Sequence, residues 1–188
     1  MVFTTVFHLS LARAASICDA TSILLDGDTV ITFDDSAQSI KVLRDHSVLI
    51  EHDRIAEIYP SSSPKILPNS TQIVSAIGKI VSPGFIDTHK HGWQTAFRTI
   101  GSNTTLADYS FKWGPLGPSA KRLSSDDVYY SQLLGAVESL NAGVTGILDY
   151  SHAPFSNSTS EASFRGSIDA GARTWWSYAF FSAPGSNF

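Results

Sequence analysis

Residues 78–91 read GKIVSPGFIDTHKH, and the pattern of the chain changes within them. The run Phe85–His89 is short and apolar and ends in polar residues, which predicts a strand. Residues two apart on a strand point to the same side, so Asp87, His89 and His91 are predicted to share one face. Two imidazoles at this spacing can turn toward one ion, and their nitrogens suit Zn²⁺ and Fe²⁺. The sequence therefore predicts a metal-binding strand end, where Asp87 either bonds within the site or anchors the strand.

Upstream of this stretch, short β-rich runs alternate with turn residues. Asp26-Gly27 between two such runs predicts a hairpin, because its turn needs residues that tolerate positive φ. A second hairpin is predicted from Ser47–Glu51 and Ile55–Tyr59, and Thr71–Ile77 is another extended run. No helix of normal length fits here. Residues 22–82 are therefore predicted to form a small antiparallel β module.

Downstream of Pro83-Gly84, strands alternate with helices. A long irregular stretch is predicted at residues 92–123, followed by N-capping residues at 124–127 and a helix that ends at Gly143. Val144–Tyr150 is predicted as a strand buried on both faces, Ser158–Ala170 as a second helix and Arg173–Ala179 as a third strand. This alternation predicts an α/β protein with a parallel sheet of right-handed crossovers. A complete eight-fold barrel needs about 250 residues, so residues 83–188 hold two to three β/α units of either a small open sheet or a longer barrel.

The composition and charge of the chain limit the classes of binding partner that the sequence predicts. The 188 residues are 43% hydrophobic and 16% charged, and their formal charge of −4 gives no reason to expect nucleic acid or an anionic membrane. The single cysteine, Cys18, excludes an internal disulfide framework. Residues 1–21 are predicted to be an irregular extension rather than a signal peptide, because the apolar run lacks a basic start. The predicted location is cytoplasmic, and the sequons at Asn69, Asn103 and Asn157 leave secretion open.

A His-x-His pair alone is a weak signal, since two surface histidines on one strand are common. A cupin-type barrel also uses His-x-His but expects a glutamate a few residues later. No glutamate occurs between Glu57 and Glu138, so the cupin reading is disfavoured.

The residues around the pair resemble the first barrel strand of the amidohydrolase superfamily. The later motifs resemble the branch that contains cytosine and guanine deaminases and triazine hydrolases. The resemblance runs from about Ser22 to about Ala179. It is carried by PGFIDTH-x-H at 83–91, WQT at 93–95 with Arg98, L-x-DY at 106–109, LGA-x-E-x-LNAGVT at 134–145 and DYSH at 149–152.

The resemblance implies a (β/α)8 TIM-type barrel with a β-sandwich assembled from both chain ends. It also implies one divalent metal ion, zinc or iron, held by His89 and His91 with a third histidine and an aspartate from later strands. The expected reaction is hydrolysis of a non-peptide C–N bond, such as deamination of a small heterocyclic amine by metal-activated water. Trp93 and Gln94 could line the substrate pocket, although plain packing of the loop is a comparable alternative. The sequence does not fix the oligomeric state and leaves a homo-oligomer open.

The sequence departs from the family pattern by omission. After His91 the only histidine is His152, which does not occupy a family metal-binding position and is interpreted as a loop histidine without a role. Asp149 is interpreted as a strand-end anchor, and Trp175, Trp176 and Tyr178 as core. No residue of this sequence corresponds to the family's third histidine ligand, its aspartate ligand or its proton shuttle. Activity of this chain alone is therefore not expected. The chain is expected to be an N-terminal fragment with an incomplete barrel; the alternative is an inactive product that acts as a binding or structural module.

Overall fold

The computed structural model describes residues 22–63, 65–115, 117–153 and 156–179. The extension predicted at residues 1–21 lies outside the described residues. The chain divides into two compact units on either side of the Pro83–Gly84 bond. None of the helices in the described ranges is long and apolar enough to cross a membrane.

The first unit is a five-stranded sheet in which β3, β2, β1 and β4 lie in that order and β5 also pairs with β1. The pairs β1–β2 and β2–β3 are antiparallel, as predicted, but β4 and β5 run parallel to β1. The prediction of an antiparallel module is therefore wrong for the last two strands, and the sheet is mixed. The strands are β1 Ser22–Asp34, β2 Ser39–Glu51, β3 Arg54–Pro60, β4 Gln72–Ser75 and β5 Ile80–Val81.

The predicted hairpin at Asp26-Gly27 is wrong, because β1 continues through both residues. The register with β2 shifts at this point, which is the signature of a β-bulge. The Ser47 hydroxyl on β2 accepts a hydrogen bond from the Gly27 amide and donates one to the Asp26 carboxylate, at 3.2 and 3.1 Å. A Cβ at Gly27 would collide with the Ser61 side chain. Gly27 is therefore required because the Ser61 side chain packs close to its Cα, and not because the chain turns there.

The second unit contains a three-stranded parallel sheet in the order β6-β7-β8, with crossover helices, as the alternation predicted. Both longer helices begin with a capping box, in which a serine and the residue three positions later exchange hydrogen bonds. Gly143 and Gly171, just after these helices, have φ of 86° and 69°, values that favour glycine. The elements are β6 Phe85–Lys90, α1 Leu106–Lys112, α2 Ser125–Asn141, β7 Val144–Ser151, α3 Asn157–Asp169 and β8 Arg173–Tyr178.

Much of the stretch predicted to be irregular, residues 92–123, is helical in the described residues: it contains two 3₁₀ helices and one short α-helix. A 3₁₀ helix spans Gly92–Phe97, and another spans Ala120–Arg122. The helix α1 begins after Thr105, whose hydroxyl accepts a hydrogen bond from the Asp108 amide. A Thr-x-x-Asp spacing is an N-terminal signal for a helix, so the sequence did contain evidence for α1.

The strand β7 is buried on one side only, whereas its composition predicted burial on both. Ile147, Asp149 and Ser151 are buried, while Leu148 and Tyr150 are 41% and 45% exposed. The aromatic cluster predicted on β8 is also only partly internal. Trp175 is 62% exposed, so it is not part of the core that the described residues form. Trp176 is half-buried and donates a hydrogen bond from its indole nitrogen to the Ser163 hydroxyl on α3, at 3.1 Å.

Candidate metal centre

The two histidines predicted as metal ligands face each other at the carboxyl end of β6. Nε2 of His89 lies 3.1 Å from Nε2 of His91, and their rings meet nearly at right angles with centroids 4.8 Å apart. The pairing of β6 with β7 becomes irregular between Asp87 and Lys90. The regular backbone hydrogen bonding between β6 and β7 is therefore interrupted at the point where both rings turn toward each other.

The Asp87 carboxylate contacts its own strand. Its Oδ1 accepts a hydrogen bond from the backbone N–H of His89, at 3.1 Å. Of the two roles considered for this residue, anchoring the strand end is the one that this contact supports.

A backbone carbonyl sets the tautomer of His91. Its Nδ1 lies 2.7 Å from the carbonyl oxygen of Tyr150 on β7. A carbonyl oxygen can only accept, so Nδ1 carries the hydrogen and Nε2 keeps its lone pair. Metal-binding histidines are typically fixed in this way by a hydrogen bond from the other ring nitrogen. Thus β7 orients the lone pair that His91 presents beside His89.

The spacing of the two Nε2 atoms fits a shared metal ion. Two imidazole nitrogens 3.1 Å apart can share one proton or one cation. Zinc–nitrogen bonds of about 2.0–2.1 Å in a tetrahedral site place two ligand nitrogens about 3.3 Å apart. Within the described part of the chain, no group of three or more His, Cys, Asp and Glu side chains is arranged to hold an ion. The pair therefore offers two candidate ligands, which are fewer than a metal site needs.

A buried carboxylate ties the segment after His91 to the sheet. Asp149 on β7 is fully buried. Its Oδ1 accepts from the Gly92 amide at 3.1 Å, and its Oδ2 accepts from the Gln132 side-chain amide at 2.6 Å. Burial raises the pKa of Asp149, against the opposing effect of these two hydrogen bonds. This bond to Gly92 is the anchoring role that the sequence indicated for Asp149.

Gln132 on α2 is a residue that sequence reasoning missed. It also donates to the Ser167 hydroxyl at 2.9 Å and accepts from the Ser163 hydroxyl at 3.3 Å, both on α3. One amide thus connects β7, α2 and α3. The available signal was its position four residues after Val128 and four before Ala136, on the buried stripe of the helix. A polar residue on such a stripe needs a buried partner.

His152 is packed beside the histidine pair. It is only 6% exposed, and its ring centroid lies 4.1 Å from that of His91. Its Nδ1 accepts a hydrogen bond from the Trp93 indole nitrogen, at 3.2 Å. Burial, and next the neighbouring His91, lower the pKa of His152 to about 4. His152 is therefore an ordered, buried residue of the loop after β7, in contact with the His91 ring.

The two residues considered for substrate binding lie in different environments. Trp93 has no exposed surface and packs in the core with Val128 and Ala162, which supports the packing alternative for its ring. Gln94 is half-buried, and its amide exchanges hydrogen bonds of 2.8 and 3.1 Å with the Tyr109 hydroxyl. Gln94 therefore orients Tyr109, and Tyr109 faces the histidines.

The histidines open onto a cavity of about 340 Å³. Aromatic and imidazole rings dominate its wall. It is lined by His89, His91, Tyr109, Ser110, Pro115, Tyr150 and His152. A larger cleft, of about 440 Å³ between α2 and α3, contains none of these histidines. The smaller cavity is the one that combines candidate ligands with room for a small molecule.

The sequence model of the amidohydrolase family matches residues 80–181, which is more than half of the chain. This chain belongs to the amidohydrolase family. The match confirms the family that the residues around the histidine pair indicated.

Two curated proteins of similar sequence are deaminases. The chain is 34% identical over 130 residues to a 5-methylthioadenosine/S-adenosylhomocysteine deaminase of Caldicellulosiruptor saccharolyticus. It is 31% identical over 127 residues to a 5'-deoxyadenosine deaminase of Methanosarcina mazei. Each match covers 68% of this chain but only 28% and 27% of those proteins. The chain thus spans little more than a quarter of the length of these relatives.

A solved amidohydrolase structure shows the same architecture. A variant of atrazine chlorohydrolase from Arthrobacter aurescens, complexed with zinc and atraton, superposes with a TM-score of 0.61 at 26% identity. The superposition covers 81% of this chain and 34% of that chain. The structural neighbours are TIM-barrel amidohydrolases, which confirms the α/β class and the resemblance to such barrels.

Proposed function

We propose that this chain is part of a metal-dependent amidohydrolase that deaminates a small heterocyclic amine. The observation that carries the proposal is the pair of Nε2 atoms 3.1 Å apart, one of them oriented by the Tyr150 carbonyl. The deaminase relatives and the zinc in the atrazine chlorohydrolase structure support it.

His89 and His91 would hold one divalent ion, zinc or iron. When bound, the ion lowers the pKa of a coordinated water toward neutrality and so supplies the nucleophile. The residues of this chain prepare the site: Tyr150 fixes the tautomer of His91, and Asp149 fixes the backbone at Gly92. The remaining ligands and the proton shuttle would come from residues beyond those described.

The three parallel strands would be part of an incomplete barrel. Asp149 and Ser151 of β7 bond to α2 and α3, so the alternate residues of this strand face away from the helices. On that side Ile86, Leu148 and Trp175 are 69%, 41% and 62% exposed. In a closed barrel such residues fill the interior in layers with side chains of the other strands. The exposed apolar face therefore supports further strands over an inactive module that is stable alone.

The substrate would be a small aromatic heterocycle, such as a nucleoside or a triazine. The relatives are named as deaminases of adenosine derivatives, and the cavity wall offers the rings of Tyr109 and Tyr150 for stacking. The cytoplasmic location and the homo-oligomer stay predictions.

The test uses protein purified from the complete reading frame that encodes these residues. Metal content is measured by elemental analysis, and ammonia release is measured with 5'-deoxyadenosine, 5'-methylthioadenosine and S-adenosylhomocysteine. The proposal expects bound zinc or iron and release from at least one compound. The His89→Ala/His91→Ala double variant should lose both metal and activity.

The matched control is His52→Asn. His52 lies in the exposed turn between β2 and β3 at φ 53°, a conformation that asparagine also adopts. This variant should keep metal and activity. Full ammonia release by the double variant, or a wild-type protein with neither metal nor turnover, would contradict the proposed function.

A further inference from the structure

We propose that His152 is a substrate-binding residue that presents its Nε2–H to the cavity, and that Trp93 locks it in this tautomer. The inference rests on the proposed function, because it assigns a contact in the same cavity. It gives a role to a histidine that is not one of the two proposed ligands.

The tautomer follows from the chemistry of the Trp93 indole. An indole nitrogen can only donate a hydrogen bond. It lies 3.2 Å from Nδ1 of His152, so this Nδ1 must be the acceptor. Because Nδ1 holds a lone pair, the ring hydrogen of His152 is on Nε2. Trp93 has no exposed surface and His152 is 6% exposed, so bulk water does not compete for this bond.

His152 and His91 lie together in opposite tautomers. Their centroids are 4.1 Å apart, and their planes are tilted by 37°. His91 uses Nδ1–H to hold the Tyr150 carbonyl and keeps the lone pair of Nε2. His152 uses the lone pair of Nδ1 to hold Trp93 and keeps Nε2–H. The two stacked rings thus offer a lone pair and a hydrogen-bond donor within one cavity.

This arrangement selects the chemical class of the ligand. Both rings, together with His89 and Tyr109, line the cavity of about 340 Å³. A ligand that reaches His152 meets a donor, so it must bring an acceptor, such as a ring nitrogen with a lone pair or a carbonyl oxygen. A ligand with an N–H at that position would leave two donors facing each other, which is unfavourable in a buried site.

The tautomer is measured by ¹⁵N NMR on the zinc-loaded, full-length protein. Wild-type His152 should show an unprotonated Nδ1 and a protonated Nε2. Trp93→Phe keeps an aromatic ring but removes the donor, so His152 should then populate both tautomers. A purely structural packing role for Trp93 would leave the tautomer unchanged. An unprotonated Nε2 in the wild-type protein would overturn the inference without the use of any variant.

Ligand binding is measured with purine, which has ring-nitrogen acceptors and no amino group to lose. Purine should shift the Nε2–H signal of His152. In His152→Phe the Kd for purine should rise about tenfold, as expected when one buried hydrogen bond is lost. His152→Gln retains an N–H donor, and its Kd should stay within about threefold of the wild-type value. The KM for whichever compound the wild-type protein deaminates should follow the same order.

The outcomes separate the two proposals. If the wild-type protein binds metal and turns over a substrate while His152→Phe keeps the wild-type Kd and KM, the role of His152 is wrong and the proposed function stands. If the wild-type protein has neither metal nor turnover, the proposed function itself fails.

Discussion

Replacing Asp149 with leucine tests whether the carboxylate is what holds the segment after His91. Leucine has nearly the shape of aspartate but cannot accept a hydrogen bond. The Gly92 amide and one N–H of Gln132, now at 3.1 and 2.6 Å from the carboxylate, would both stay buried without an acceptor. Each unsatisfied donor costs about 1–3 kcal/mol, and removing a buried charge returns part of this cost. The expected net loss in free energy of unfolding is about 3 kcal/mol.

The same substitution should weaken metal binding at the proposed site. Gly92 follows His91 directly, so release of its amide frees the backbone that carries this proposed ligand. Loss of an outer hydrogen bond to a ligand typically lowers metal affinity about 10–100-fold. The assays are urea unfolding of the full-length protein, followed by the fluorescence of its buried tryptophans, and competition for zinc against a chelator of known affinity.

Two further variants decide the interpretation. Asp149→Asn keeps an acceptor for the Gly92 amide, and the Gln132 amide can turn to accept from the new NH₂ group. Its cost should be only about 1 kcal/mol. Glu161→Gln, on the exposed side of α3, should change stability by less than about 0.5 kcal/mol. A cost below about 1 kcal/mol for Asp149→Leu, with unchanged zinc affinity, would refute the reasoning.

Three more predictions follow from individual contacts. Gly92→Ala would place a Cβ 2.5 Å from Nε2 of Gln132. The Gln132 side-chain amide must then shift, so the free energy of unfolding in urea should fall by about 2 kcal/mol. An unchanged unfolding midpoint would contradict this. Ser124→Ala removes the hydroxyl that accepts from the Asp127 amide and should cost about 1 kcal/mol, whereas Ser124→Asp, another good N-cap, should cost far less. The Asp34 carboxyl should titrate by NMR at about 2, because the Ser36 hydroxyl and the Ala37 amide donate to it. The pKa of this carboxyl in an unfolded chain is near 3.8. The stabilisation from its hydrogen bonds is therefore complete above pH 3.8 and is lost as the pH falls through 2. A titration midpoint near 3.8 would show that the turn does not hold the carboxylate.

The elements of the second unit could be predicted because each carries local signals. Each of these signals lies within or next to the element that it predicts: the capping serine of α2, the glycine after α2 and the apolar run of β7. The predicted bounds of α2 and α3 agree with the structure to within a residue or two at the ends that were given. The parallel order also followed, because strands joined through helices can hardly pair otherwise.

The first unit shows where local pattern reaches its limit. Asp26-Gly27 has the composition of a hairpin turn, but the bulge depends on Ser47 and Ser61 from other strands. No residue near Asp26 carries that information. The parallel pairing of β4 with β1 likewise depends on which edge of the sheet is vacant, a property of the whole fold.

The sequence predicted that His89 and His91 lie together, but it did not predict the contacts that support them. His89 and His91 follow from strand spacing, and the structure brings their Nε2 atoms together. The contacts made by Gln132 and His152 join residues 17 and 59 positions apart. Such contacts exist only after the helices have packed on the sheet.

The 3₁₀ helix Gly92–Phe97 has a consequence for loop exchange between family members. It is wedged between β7 and α2: Asp149 binds its first amide, and a Cβ at Gly135 would lie only 2.9 Å from the Gly92 carbonyl oxygen. The loop that follows His91 therefore cannot be exchanged independently of the residues on which it packs. Residues 92–123 from another family member should therefore replace this segment successfully only when Gly92, Gly135 and the Gln132–Asp149 pair are all present in the resulting protein.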